Sequence, residues 1–319
     1  MIKSLVKGDV ADIHALVEKM VVSTAKNGKP YATLTLRDKS GAIQAKIWNF
    51  DVDRYPNVKE GAVLQVVGPV DEYNGAPQMI VNDAYASTEP YGNYVNSTRF
   101  NIEQMWTELV ALVDTFTEPL TKYVTEEILL KHADFIELFK KAPAAKTIHN
   151  NWHGGLIEHV HSLCTIAEPV IKHYQKRYGV AFSRDKVLFG LMLHDAAKVI
   201  EYDFSKPTIG YSALGQFTPH IVIGPAWVYE KANKCPAPPE NFKVERAHLM
   251  HILAAHHGQV AWGSPVVPAS LEAILVHQLD YLDAKMLHAI DLIEGKTGPV
   301  AGFSERSYFE KASFYQYGR

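Results

Sequence analysis

Residues 31–48 read Tyr-Ala-Thr-Leu-Thr-Leu-Arg-Asp-Lys-Ser-Gly-Ala-Ile-Gln-Ala-Lys-Ile-Trp. Leu34 and Leu36 alternate with Thr33 and Thr35, residues 38–41 supply turn chemistry, and Ile43, Ala45 and Ile47 recur at every second position. Such alternation belongs to two half-buried strands joined by a hairpin, because successive side chains of a strand point to opposite faces. A second hairpin is marked by Asn74-Gly75, with Val66, Val67 and Val70 before it and Met79, Ile80 and Val81 after it. About five strands in so short a stretch suit a small closed barrel better than a two-sheet sandwich. Residues 1–87 are therefore expected to form an all-β barrel of the OB type. A linker rich in Pro, Gly, Tyr and Asn follows at 88–99.

After Phe100 the period changes. Ile102, Met105, Trp106, Leu109, Leu112, Val113 and Phe116 lie on one stripe of a helix. Similar stripes run through Leu156, Val160, Leu163 and Ala167, through Val187, Leu188, Leu191 and Met192, and through Leu271, Ile274, Leu275 and Leu279. The predicted architecture is multidomain, with the barrel followed by an all-α domain over 100–319. Two exceptions are expected: a loop-like stretch at 203–225, rich in Gly, Pro and Thr, and a Pro-rich turn at 235–239.

Composition narrows the function. Hydrophobic residues make up 47% of the 319 and charged ones 21%, which excludes disorder as the main theme. No apolar run approaches the ~18 residues that would span a bilayer, so no membrane partner is expected. Asp9 and Asp12 interrupt the stretch where a secretory signal needs apolar residues, and two cysteines, Cys164 and Cys235, fit a reducing compartment. A cytoplasmic location is expected. A net charge of −3 argues against binding duplex nucleic acid by blanket phosphate neutralisation.

The 15 histidines stand out, since imidazole is the commonest ligand for transition metals. His194-Asp195 closes the apolar run 187–193. Neighbours on a helix point about 100° apart, so both reach one metal only where the helix ends or bends, or the carboxylate bridges two metals. Two-metal hydrolysis needs cations about 3.5–4 Å apart, a separation one carboxylate can span. Further stations are His159 in Gly154-Gly155-Leu156-Ile157-Glu158-His159, His220 in the insert, His256-His257 before Gly258, and Asp280.

The order H, HD, H, HH, D resembles the HD-domain metal-dependent phosphohydrolases. With the strings Gly-Gly-Leu-Ile-Glu-His, Leu-His-Asp-x-x-Lys, His-His-Gly and Gly-Ser-Pro behind an OB-like barrel, it resembles the YhaM-type 3′-to-5′ exoribonucleases over nearly the whole chain. The resemblance implies that His159, His194 and Asp280 bind one divalent metal, that His220 and His256 bind a second, and that Asp195 bridges them. Mn²⁺ is the implied metal. Fe²⁺, Co²⁺ and Zn²⁺ also match mixed imidazole and carboxylate ligation. Lys198, four residues past His194, is expected on nearly the same helical face, where it meets a substrate phosphate; its ordinary alternative is a solvated lysine at a helix end. His257 is read as a group behind the ligands or a substrate contact, with metal ligation as a further alternative. His251 is read as a group behind the ligands or a substrate contact, its angular distance from His256 making ligation by both awkward. His149 and His153 are placed near the mouth of the site or in an exposed loop. Two departures from the family pattern stand out: Ala196-Ala197 replaces Ile-Gly between HD and Lys, and Phe217-Thr218-Pro219 precedes His220 where Leu-Gly is usual.

With Leu34, Leu36, Ile43, Ala45 and Ile47 inside the barrel, Tyr31, Thr33, Thr35 and Arg37 share the outer face with Gln44, Lys46 and Trp48. Bases of single-stranded RNA or single-stranded DNA can stack on Tyr31 and Trp48 while Lys46, Arg37, Lys26 and Lys29 track phosphates. The competing use of Trp48 is packing against the helical half. The implied function is a metal-dependent 3′-to-5′ exoribonuclease that releases 5′-nucleotides; a homo-oligomer is compatible with it. The alternatives are a phosphohydrolase acting on mononucleotides or cyclic nucleotides, and a single-strand-binding protein with an inactive HD domain.

Overall fold

A computed structural model describes the chain except residues 91–92, 95–96, 146–151, 205–208, 295–301, 305, 308–309 and 318–319. Contacts divide it into two units, Met1–Ser97 with Asp203–Gly210, and Thr98–Tyr202 with Tyr211–Arg319.

The first unit is a six-stranded barrel built from β1 (Val10–Thr24), β2 (Pro30–Asp38), β3 (Gly41–Trp48), β4 (Val63–Tyr73), β5 (Ala76–Ile80) and β6 (Asp83–Ala86). The strand order is β1-β2-β3-β5-β4-β6, and β1 also pairs with β4, which closes the sheet. The fifteen-residue β1 does this by pairing with β4 through Val10–Leu16 and with β2 through Leu16–Thr24. The register slips between Val17 and Lys19, and such a bulge bends a strand enough to serve two neighbours. The alternation in 31–48 becomes a register of Tyr31 opposite Trp48, Thr33 opposite Lys46 and Leu34 opposite Ala45. Leu34, Leu36, Ile43, Ala45 and Ile47 are buried in the barrel core, as the parity requires. The strand Asp83–Ala86, too short and too polar for a clear period, is the sixth strand that the sequence does not announce.

The second unit is mostly helical: α1 (Ile102–Asp114), α2 (Pro119–Leu129), α3 (Ala133–Lys141), α4 (Gly155–Tyr178), α5 (Arg184–Leu193), α6 (Lys198–Glu201), α7 (Ala213–Phe217), α8 (His220–Ala232), α9 (Phe242–Ala254) and α10 (Leu271–Glu294). A two-residue strand pair, Gly302–Phe303 with Tyr315–Gln316, departs from an all-α domain. Helix α5 is the axis. Every residue from Asp185 to Leu193 is buried, and α2, α4, α9 and α10 pack around it. Such a helix is apolar on all sides because it has no solvent face. Gly190 permits the packing, since a Cβ there would lie 2.5 Å from Ile252 and 2.7 Å from Val276. The Ser183 hydroxyl caps the helix by accepting the Lys186 N–H.

The insert at 203–225 corrects the sequence reading, for it is not loop-like throughout. Ser212 caps α7 by accepting the Gly215 N–H, and α8 begins at His220 with Pro219 as its N-cap. Pro225 lies inside α8 and withholds one N–H, yet the helix persists because it packs against α2 and α9. Tertiary burial here outweighs a composition that favours loops.

Candidate metal centre

Five segments deliver the centre. His159 lies in the second turn of α4, His194 caps the C-terminus of α5, Asp195 occupies the turn before α6, His220 opens α8, His256 and His257 follow the end of α9, and Asp280 projects from α10. The helix does end at Leu193, so His194 and Asp195 are free to aim at one place despite being adjacent.

Each ring is held from behind. His159 Nδ1 lies 2.7 Å from Asp283 Oδ2, whose other oxygen accepts the Ser162 hydroxyl at 2.6 Å. His220 Nδ1 lies 2.6 Å from Glu201 Oε2. His194 and His256 donate their Nδ1–H to the carbonyls of Leu191 and Leu253, at 3.0 and 2.6 Å. A hydrogen bond of this kind at one nitrogen fixes the tautomer and leaves the other with a lone pair for a metal.

The opposite nitrogens converge. His194 Nε2 is 3.3 Å from Asp195 Oδ2, while His220 Nε2 and His256 Nε2 are 3.3 and 3.8 Å from Asp195 Oδ1. The two oxygens of Asp195 thus face different imidazoles. Asp280 Oδ1 lies 3.2 Å from His159 Nε2 and 3.7 Å from His194 Nε2. Donor atoms of His159, His194 and Asp195 lie within 4.8 Å of one another, as do those of His220, His256 and His257. Four buried nitrogens, Nε2 of His194, His220 and His256 and Nδ1 of His257, make no hydrogen bond among the described residues. Orphaned buried ring nitrogens are costly unless something binds them, and a divalent cation fits this donor set.

The electrostatics agree. Burial would raise the Asp195 pKa, but Lys198, His194 and His220 hold it well below the usual carboxylate range. Asp280 is lowered in the same sense by His194 and His159 against its own burial. Burial opposes the charge on His159, yet Asp280 and Asp283 raise its pKa to about 10, so a cation at its Nε2 would have to displace a proton from the ring. His256 is pushed well below the ordinary imidazole value by burial and by its histidine neighbours. His257 is lowered by burial and by His220.

Several expected positions are revised. Lys198 opens a separate helix, so it shares no helical face with His194. Nor is it solvated: its ammonium is buried, 2.6 Å from Asp195 Oδ2, and donates at 2.7 Å to the Ala144 carbonyl. His257 joins the donor group of His220 and His256, its ring centroid 4.3 Å from that of His256. His251 does not join either donor group; its Nε2 accepts the Ala269 N–H at 2.9 Å. His153 is exposed beside Gly154, and His149 falls outside the described residues. Sequence reasoning missed Asp283 and Glu201. Asp283 was accessible, being three residues past Asp280 on the same helix, whereas nothing in the spacing of Glu201 points to His220.

On the barrel, Tyr31 and Trp48 rings lie 5.3 Å apart, and Trp48 is 47% exposed. Lys46 Nζ sits 5.5, 5.0 and 5.2 Å from the ring centroids of Tyr31, Trp48 and Tyr73. Tyr73, beside the Asn74-Gly75 turn, was not anticipated. Arg37 is less available than its position suggests, because its Nε donates to Glu18 at 2.8 Å. Lys26 and Lys29 are exposed in the β1–β2 loop. Among the described residues no helix is long and apolar enough to cross a membrane.

Comparison with known proteins bears on both units. Residues 5–86 match the family described as OB-fold nucleic acid binding domain. The second OB-fold domain of replication protein A from Methanococcus maripaludis, at 23% identity and a TM-score of 0.23, aligns over 28% of this chain and 95% of its own. Over the whole length, the 3′-5′ exoribonuclease YhaM of Listeria monocytogenes is 31% identical across 313 residues, covering 97% of this chain and 95% of the relative. The protein of the same name from a Geobacillus species is 30% identical over 315 residues, covering 97% and 92%. The chain therefore belongs to the YhaM 3′-5′ exoribonuclease family.

Proposed function

We propose that the chain is a metal-dependent 3′-to-5′ exoribonuclease that shortens single-stranded RNA, and single-stranded DNA where it is offered, to 5′-nucleotides with two divalent cations at the histidine cluster. The observation that carries this reading is that His194 on one side and His220 and His256 on the other face opposite oxygens of Asp195 with Nε2 atoms that make no hydrogen bond among the described residues.

His159, His194 and Asp280, with one oxygen of Asp195, would hold the first cation. His220, His256 and His257, with the other oxygen, would hold the second. Mn²⁺ suits this mixture of imidazole and carboxylate, as do Fe²⁺, Co²⁺ and Zn²⁺. When bound, such a pair acidifies a water and stabilises the charge that builds on phosphorus during in-line displacement. Asp283 and Glu201 keep the Nδ1 protons of His159 and His220 in place, so both rings present Nε2. Lys198 positions Asp195 and offsets its charge from within the protein. On the barrel, Tyr31, Trp48 and Tyr73 around Lys46 would stack bases and meet a phosphate, which favours single strands over duplexes.

The test is an RNA oligomer labelled at its 5′ end and incubated with Mn²⁺. The reading requires a ladder that shortens stepwise from the 3′ end, with 5′-nucleotides as the released product. Internal cuts, or turnover of mononucleotides alone, would contradict it.

A further inference from the structure

The string Gly263-Ser264-Pro265 and Trp262 before it contribute no atom to either donor group. They build a second feature beside the centre. The Trp262 and Tyr281 rings lie 5.5 Å apart with an interplanar angle of 6°, and both are more than 40% exposed. His277 sits against both, 6.1 Å from Trp262 and 6.2 Å from Tyr281. Lys285 Nζ lies 4.9 Å from the Tyr281 centroid.

This stack is bolted to the metal centre. His277 Nδ1 donates to the carbonyl of His256 at 2.8 Å. Gly258, at φ +77°, lies so close to His277 that a Cβ would stand 2.2 Å from its ring, so the His256-His257 loop rests directly on that imidazole. Ser264 is buried; its hydroxyl donates to the Val266 carbonyl at 2.6 Å and lies 3.1 Å from the Ala254 carbonyl at the end of α9. Ser264 N–H also closes the turn onto the Gln259 carbonyl. A Cβ on Gly263 would lie 3.9 Å from His257 Nδ1, one of the orphaned nitrogens, and Trp262 is the next residue along the backbone, about 3.8 Å away Cα to Cα. Tyr281 follows Asp280 directly.

From this we infer that Trp262 and Tyr281 form a stacking platform for a base next to the scissile phosphate, so that the 3′ end of a single strand is gripped by its base as its phosphate enters the centre. Parallel, half-exposed aromatic rings at the surface offer a π-face to any base, which suits an enzyme that must accept every nucleotide it uncovers. The rigid link through His277 and Ser264 sets the distance between base and phosphate. The inference rests on the proposed exonuclease reading and adds a substrate subsite to it.

A four-way comparison tests it, combining wild type and the double variant Trp262→Ala/Tyr281→Ala with an RNA bearing normal bases and one abasic at its last two 3′ positions. Stacking predicts that wild type prefers the normal RNA in kcat/KM by roughly tenfold or more and that the double variant loses most of this preference. Trp262→Phe, which keeps a ring, should retain the preference, and it guards against a folding defect in the double variant. An unchanged preference in the double variant would overturn the platform, as would a change in the association state by light scattering, which would make the pair an interface between copies. Should wild type fail to shorten RNA at all, the exonuclease reading falls by itself. The same four-way comparison read as dissociation constants by anisotropy then decides the platform on the same criterion.

Discussion

Lys198 and Asp195 form a largely buried ion pair, Nζ to Oδ2 at 2.6 Å, on the very carboxylate that the imidazoles of His194, His220 and His256 face. Burial works against the Lys198 charge, but Asp195 raises its pKa above the ordinary lysine value, so the ammonium persists. Removing one partner of such a pair leaves an uncompensated charge in a low-dielectric site. Lys198→Ala should therefore destabilise the protein by about 3–5 kcal/mol in urea unfolding. Because cations would offset the same carboxylate, the loss should shrink when Mn²⁺ is added. An equal loss with and without metal would separate Lys198 from the centre.

The carboxylates behind the rings should be separable. Of the ligand rings, Asp283→Asn disturbs the support of His159, and Glu201→Gln that of His220. Partners of this kind typically account for 10- to 100-fold in metal affinity or activity. Calorimetric titration with Mn²⁺ should show one weakened class of site in each variant, with the other class near its wild-type affinity. Loss of both classes in either variant would argue for a single, shared site.

The barrel face makes an uneven prediction. Trp48→Ala removes a stacking ring and part of the cage around Lys46, and should weaken single-stranded RNA binding by about 1–3 kcal/mol. Arg37→Ala should cost far less, because its guanidinium is already engaged by Glu18. Anisotropy titrations of the two variants at one salt concentration check the ranking.

Stability should carry an acid signature from Glu272. Burial would raise its pKa, but hydrogen bonds from His248 and the Ser183 N–H lower it to about 2, from 4.5. Since the folded value is depressed, the unfolded chain binds the proton more readily. The contribution is then complete above pH 4.5 and disappears as pH falls towards 2. Glu272→Gln should lower the melting temperature at pH 7 and flatten the acid limb of the stability curve across that window.

The elements that were legible in the sequence are those whose period survives folding. Leu34 to Ile47 alternate because one barrel face is dry, and the run from Val187 to Leu193 is apolar because α5 is surrounded. His194-Asp195 could be placed at a helix end for the same reason. What escaped depends on long-range packing. His220 sits in a Pro- and Gly-rich stretch whose helix is secured by its neighbour α9 and by α2, which lies far away in sequence. Lys198 leaves the helical face of His194 because the chain breaks between α5 and α6, and no propensity marks that break. Glu201 meets His220, and Arg37 meets Glu18, only once the tertiary structure brings them together.

Diffraction from crystals grown with Mn²⁺, recorded at the manganese edge, addresses the central claim directly. Two anomalous peaks should flank Asp195, one against His159, His194 and Asp280 and the other against His220, His256 and His257. An empty cluster, or a single peak away from Asp195, would contradict a two-cation centre.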